Sequence, residues 1–68
     1  MFSRGLRRLR SDRGITQVEL AKKVEVTQAA ISRYEDGSAL PSLDVAIKIA
    51  EALQCSVDDL LEWERRAS

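Results

Sequence analysis

The spacing of two threonines, Thr16 and Thr27, restricts what this chain can fold into more than any other feature of it. Each stands directly before a stretch whose apolar residues recur three and four apart, and a threonine in that place caps a helix. In the stretch TQVELAKKVEVTQAAISRYEDG the first cap is reinforced by Glu19, which completes a T-x-x-E capping box, and Ile15 is placed to staple onto Leu20. The pattern predicts a helix over 17–24 with Leu20, Ala21 and Val24 on its buried side. A second helix is predicted over 28–36, with Val26 stapling onto Ile31 and Gly37 closing it in the left-handed conformation. Only Glu25, Val26 and Thr27 separate the two. A connection this short forces the helices to cross at a steep angle.

The rest of the chain follows the same period, and no alternation of two flanked by hairpin turns is present, so the expected class is all-α. A helix over about 3–13 places Phe2, Leu6 and Leu9 on one stripe and stops at Gly14. After the loop DGSALP, Ser42 caps a helix over 43–53 in which Leu43, Ala46, Ile49, Ala50 and Leu53 hold the apolar period. Ser56 caps a fifth over 57–64, with Asp58 and Asp59 near the positive end of its dipole. All 68 residues are read as a single domain of five helices, small enough that one core gives marginal stability.

Several function classes are excluded early. With no histidine and one cysteine, Cys55, the chain lacks the commonest general base and metal ligand and cannot staple itself with a disulfide. Cys55 reads as a small buried hydrophobe, Tyr34 and Trp63 as core or interface aromatics, and Asp58 and Asp59 as helix-start charges. Adjacent helical residues diverge by about 100°, so those two aspartates do not converge on a catalytic site. No enzyme activity, cofactor, metal or small-molecule ligand is expected. No apolar run approaches the roughly 18 residues needed to span a bilayer, so no membrane association is expected and the location reads as cytoplasmic.

Formal net charge is zero, but its distribution is uneven. Residues 1–34 carry eight basic side chains against three acidic, a net of +5, and residues 35–68 the reverse, a net of −5. The basic half contains the first threonine-capped helix and most of the second, and can face phosphates. On helix 28–36, Ala30, Ile31 and Tyr34 point inward, whereas Gln28, Ala29, Ser32, Arg33 and Asp36 point outward. A solvated face would carry Glu and Lys pairs four apart; this one has none. It is small at Ala29 and Ser32, which lets a helix approach base pairs closely, and forked at Gln28 and Arg33. Glutamine pairs bidentately with the N6 and N7 edge of adenine, arginine with O6 and N7 of guanine, and an alanine or threonine methyl touches that of thymine. Register is expected from backbone N–H groups at the two helix starts with Gln17, and more weakly from Arg7, Lys22, Lys23 and Ser38.

Taken together, T-Q-x-x-L-A, I-S-x-x-E-x-G, P-S-L and A-x-A-L, preceded by LRRLRSDRGI, resemble the helix-turn-helix of the Cro and phage-repressor type, the Xre family, from about Leu6 to Leu61. The resemblance implies a five-helix lambda-repressor-like domain that binds a pseudo-palindromic double-stranded operator as a homodimer, with helix 28–36 in the major groove. Gln17 then matches a phosphate-holding glutamine, and Thr27, Gln28, Ala29, Ser32 and Arg33 match positions that reach bases or nearby phosphates. Arg10 and Glu35 match a largely buried salt bridge. The family usually has glycine where this chain has Glu25 and Gln54. The expected role is transcriptional regulation by blocking or recruiting RNA polymerase. The alternative is an antitoxin-like protein-interaction module whose DNA binding is autoregulatory, ranked second because no segment beyond Ser68 is available to wrap a toxin. Val57, Leu60, Leu61 and Trp63 are apolar for a terminal helix and are the expected dimer surface.

Overall fold

The computed structural model describes residues 2–60, and among them every regular element is helical. The helices are α1 (Phe2–Asp12), α2 (Gln17–Val24), α3 (Gln28–Asp36) and α4 (Leu43–Ala52). A further helical turn, α5, covers residues 57–60, and the rest of the helix expected over 57–64 lies outside the described residues. Helix α1 ends one residue earlier than its period predicts. Gly14 takes a φ of 69°, and its N–H turns back to the Ser11 carbonyl. Helix α4 likewise stops at Ala52, since Gln54 is left-handed at a φ of 56°.

Both capped helices form as the threonines dictate. Thr16 Oγ1 accepts from the Glu19 N–H at 3.1 Å, and Glu19 Oε1 accepts from the Thr16 N–H at 3.0 Å. Thr27 Oγ1 accepts from the Ala30 N–H at 3.1 Å. Ser42 caps α4 through Val45, and Ser56 and Asp59 form a reciprocal box at the start of α5. The turn between α2 and α3 is closed at Glu25, which sits at φ 61°, ψ 43°, with its own N–H and that of Val26 both directed at the Ala21 carbonyl. A side chain in that region costs about 1 kcal/mol, and this chain accepts the cost at both places where glycine is usual, Glu25 and Gln54.

The core is formed by Phe2, Leu6, Leu20, Ala21, Val24, Ile31, Ala46, Ile49, Ala50, Leu53 and Leu60, with Leu9, Ile15, Val26 and Tyr34 half-buried against it. Helix α3 packs on α1 and α2, and α2 on α4. Two sequence expectations are corrected here. Leu43, counted in the buried period of α4, is 71% exposed as the first residue of the helix, although it stands on the stripe of Ala46 and Ala50. Leu60, expected at a dimer surface, is fully buried within the single chain. It enters the core where Gly5 lets α5 come against α1, a Cβ on Gly5 standing only 1.8 Å from the Leu60 carbonyl oxygen. Val57 is half-buried against the same core, and Leu61 and Trp63 lie outside the described residues.

Candidate nucleic-acid interface

The site is built around α3, whose inward residues are fixed by packing. Ile31 is fully buried, Tyr34 is half-buried, and Glu35 is 7% exposed. Their opposites, Gln28, Ala29, Ser32, Arg33 and Asp36, all face solvent, as the period predicts. Thr27 is exposed as well, but its hydroxyl oxygen is engaged as the cap. Gln28 and Ala29 therefore occupy the first turn of the helix, where free backbone N–H groups and the positive dipole end also point outward.

Glu35 anchors this helix through charge. Arg10, from the last turn of α1, donates through Nε to Glu35 Oε2 at 2.5 Å and through Nη2 to Oε1 at 3.1 Å. Its remaining nitrogen, Nη1, donates to the Ile15 carbonyl at 2.6 Å. Charge-assisted, bidentate and nearly dry, this pair is costly to break from one side, because the other charge would be left buried. The expected Arg10 and Glu35 bridge is present.

Gln17 joins the same network. As the first residue of α2 it is half-buried, and its Nε2 donates to Glu35 Oε1 at 3.1 Å. That bond fixes the direction of the amide, whose second hydrogen is free to donate outward. Sequence reasoning assigned Gln17 to phosphate and did not find this tether. Its signal is the placement of Glu35 beside Arg10, which brings a carboxylate to the start of α2. Arg7, Arg10, Gln17, Ser32, Glu35 and Asp36 line one open groove joining α1, α2 and α3.

Two of the remaining candidates stand differently. Lys23 lies with Glu25, Lys48, Glu51 and Ala52 in a separate depression between α2 and α4, away from the groove that holds Gln17 and Ser32. Ser38 follows the left-handed Gly37 at the end of α3, with its N–H donating to Asp36 Oδ1 at 2.8 Å. Hydrogen bonds from the Ser38 hydroxyl and backbone, with a smaller pull from Arg33, hold the Asp36 carboxyl below its ordinary range. A carboxylate is thereby fixed at the C-terminal end of α3, where it repels a phosphate placed too close. The Cys55 thiol is pushed up by burial and by Asp59, against Arg13, which keeps it protonated and unreactive at neutral pH. No helix among the described residues is long and apolar enough to cross a membrane.

Comparison with known proteins places this geometry. The helix-turn-helix family matches residues 6–60. An uncharacterized HTH-type transcriptional regulator of Archaeoglobus fulgidus is 44% identical over 59 residues, covering 87% of this chain and 84% of that protein. The uncharacterized HTH-type transcriptional regulator YqaE of Bacillus subtilis is 38% identical over 64 residues, and there the chain, 94% covered, spans only 55% of its relative's length. Among solved structures, the P22 c2 repressor protein in complex with a synthetic operator superposes with a TM-score of 0.83 at 33% identity, covering 88% of this chain and 91% of that one. The chain belongs to the helix-turn-helix family of transcriptional regulators, of the Cro and phage-repressor type.

Proposed function

We propose that this chain is a sequence-specific double-stranded DNA-binding regulator that occupies a pseudo-palindromic operator as a homodimer, with α3 in the major groove. The observation that carries this reading is the outward face of α3. Gln28, Ala29, Ser32 and Arg33 are exposed, and none of their side chains hydrogen-bonds to the rest of the described chain. They extend from a helix held rigidly from behind by Arg10 and Glu35. Gln28 suits the adenine edge and Arg33 the guanine edge, Ala29 and the Thr27 methyl suit thymine, and Ser32 is small enough to keep the helix close to the bases. Gln17 and the N–H groups at the starts of α2 and α3 suit phosphates. Ser38, Arg7 and Lys23 are further donors, of which Lys23 is the most remote from the groove. Occupancy of an operator blocks or recruits RNA polymerase, and control comes from the concentration of the regulator.

Selection from a pool of random duplex DNA at two salt concentrations tests the reading. The expected result is a two-fold symmetric site whose halves lie about 34 Å apart, one helical turn. Gln28→Ala and Arg33→Ala should each weaken discrimination at one base position by about 1–3 kcal/mol. Binding that vanishes at higher salt without any enriched sequence leaves phosphate attraction alone, and the chain is then a protein-interaction module of the antitoxin kind, to be sought by co-purification of its partner.

A further inference from the structure

Three large apolar side chains at the start of α4 and in the loop before it are left in water. Leu40 is 76% exposed, Leu43 71% and Ile47 43%. Exposed apolar residues scattered singly are ordinary, but these form a set. Leu43 and Ile47 are four apart on one helix and so stand side by side, and Leu40 precedes them by three residues. Asp44 and Lys48 form a second row next to the first, also four apart and with the acid N-terminal, the orientation that favours a salt bridge within a helix. Both are exposed, and among the described residues neither takes part in an ion pair.

We propose that this face receives a second copy of the chain, with α4 lying antiparallel to its counterpart across a two-fold axis. The proposal rests on the homodimer reading above and names its surface. In a two-fold contact, residue i of one copy meets j of the other and j meets i. Centred on α4, the antiparallel arrangement sets Leu43 against Ile47 of the second copy and Asp44 against its Lys48, so each apolar row is covered and each charge meets its opposite. A parallel arrangement sets Asp44 on Asp44 and Lys48 on Lys48 and is disfavoured by like charges. The face is thus complementary to itself in one orientation only.

Size and position agree with a regulator assembled on its site. The three side chains expose apolar area on the order of 300 Å², as large as the largest patch on many monomers. A standard interface buries about 800 Å² per partner, so this contact supplies an apolar centre with a charged rim and gives a weak dimer in free solution. Two half-sites on one duplex raise the effective concentration of the second copy and complete the assembly. Only residues 37–42 separate α3 from α4, so an axis at the start of α4 leaves one α3 on either side. Copies touching there are about one molecular width apart, and the chain measures 30 × 23 × 20 Å, on the scale of the ~34 Å turn of DNA.

Sedimentation of the full chain up to millimolar concentration, without DNA, tests the surface. Leu43→Asp and Asp44→Lys should each raise the dimer dissociation constant by about tenfold or more. The double variant Asp44→Lys with Lys48→Asp, which exchanges the charges and restores their complementarity, should return it to within about threefold of the parent. Circular dichroism and urea midpoints confirm that these exposed substitutions leave the fold intact. The double variant, whose net charge is that of the parent, is then bound to a 12-base-pair duplex of mixed sequence, too short for two copies, and should bind it like the parent. A parent that stays monomeric throughout, or variants that dimerise as the parent does, overturns the proposed surface. Failure of the parent to bind the short duplex at low salt counts against DNA binding instead and leaves the sedimentation result standing.

Discussion

Replacing Gly5 by alanine sets two effects against each other, and the geometry decides which wins. Inside a helix alanine is favoured over glycine by about 1 kcal/mol, so from sequence alone Gly5→Ala is a stabilising change. At this position the added Cβ would stand 1.8 Å from the Leu60 carbonyl oxygen, 2.7 Å from its carbonyl carbon and 3.0 Å from its Cα. Ordinary contact begins at 3.4 Å, so α1 and the start of α5 must separate by the difference, about 1.6 Å. The atoms in the way are backbone and cannot rotate aside. Leu60 is fully buried, and a leucine in that state contributes about 1.5–3 kcal/mol through the area it removes from water. Overpacking against a fixed neighbour costs about 1–3 kcal/mol, and separation forfeits part of the Leu60 contribution as well, so after the helix gain the net loss is about 1–3 kcal/mol. In a domain of this size that lowers the melting temperature by roughly 5–20 °C. Urea unfolding followed by circular dichroism measures it, with Ser11→Ala, at an exposed position of the same helix, as the control that shows the propensity gain alone. Leu60→Ala should be destabilising too, and the two changes together should cost less than their sum, since both forfeit the same contact. A Gly5→Ala chain as stable as the parent, or more so, refutes the close approach of α1 and α5.

Glu35→Ala or Arg10→Ala should lower the unfolding free energy by about 3–5 kcal/mol, while the paired change Arg10→Met with Glu35→Leu should recover most of it, as read from the same urea curves. At Glu25 a glycine relieves the left-handed strain but enlarges the freedom of the unfolded chain by a similar amount, so Glu25→Gly should leave stability within about 0.5 kcal/mol, whereas Gly37→Ala, at a φ of 82°, should cost about 1 kcal/mol. Glu19 is held below its ordinary range by the Thr16 backbone and hydroxyl, and by Lys23 and Lys22 beside it. A carboxyl lowered in the folded state stabilises the fold above its unfolded pKa and loses that contribution as the pH falls through the folded value. Acid titration of stability should therefore show a component below the usual glutamate range that Glu19→Ala removes and that Thr16→Ala, which keeps the backbone N–H donor, only reduces. Arg7→Ala should weaken binding to duplexes of any sequence about equally and reduce the steepness of the salt dependence by about one counterion, measured as affinity against salt concentration.

Capping chemistry made most of the fold legible in advance. Thr16, Thr27, Ser42 and Ser56 each announce a helix through a side-chain oxygen that satisfies a backbone N–H a few residues on, a local interaction written in adjacent letters. The outward set Gln28, Ala29, Ser32 and Arg33 was legible for the same reason, because the period fixes it once Thr27 is known to start the helix. What escaped depends on distant segments. Leu43 satisfies the period of α4 yet faces water, since where the core-facing arc begins is set by α2 and not by α4 itself. Leu60 reads as part of a dimer surface because its shelter is the missing side chain of Gly5, remote in sequence. Gln17 reads as a free amide until α1 brings Arg10, and Arg10 brings Glu35, to its side.

The side chains that face outward from α3 take no part in the bonds that hold it. Gln28, Ala29, Ser32 and Arg33 can change without disturbing Arg10, Glu35 or Ile31. If α3 reads DNA as proposed, address and chassis are independent variables in this molecule. A population of copies can drift to new target sequences through substitutions on one helix face, each nearly neutral for folding. Thr27 is the exception, because the hydroxyl on the face proposed to read bases also closes the first turn. Retargeting should be free at four positions and constrained at the fifth, where only residues able to cap a helix remain admissible.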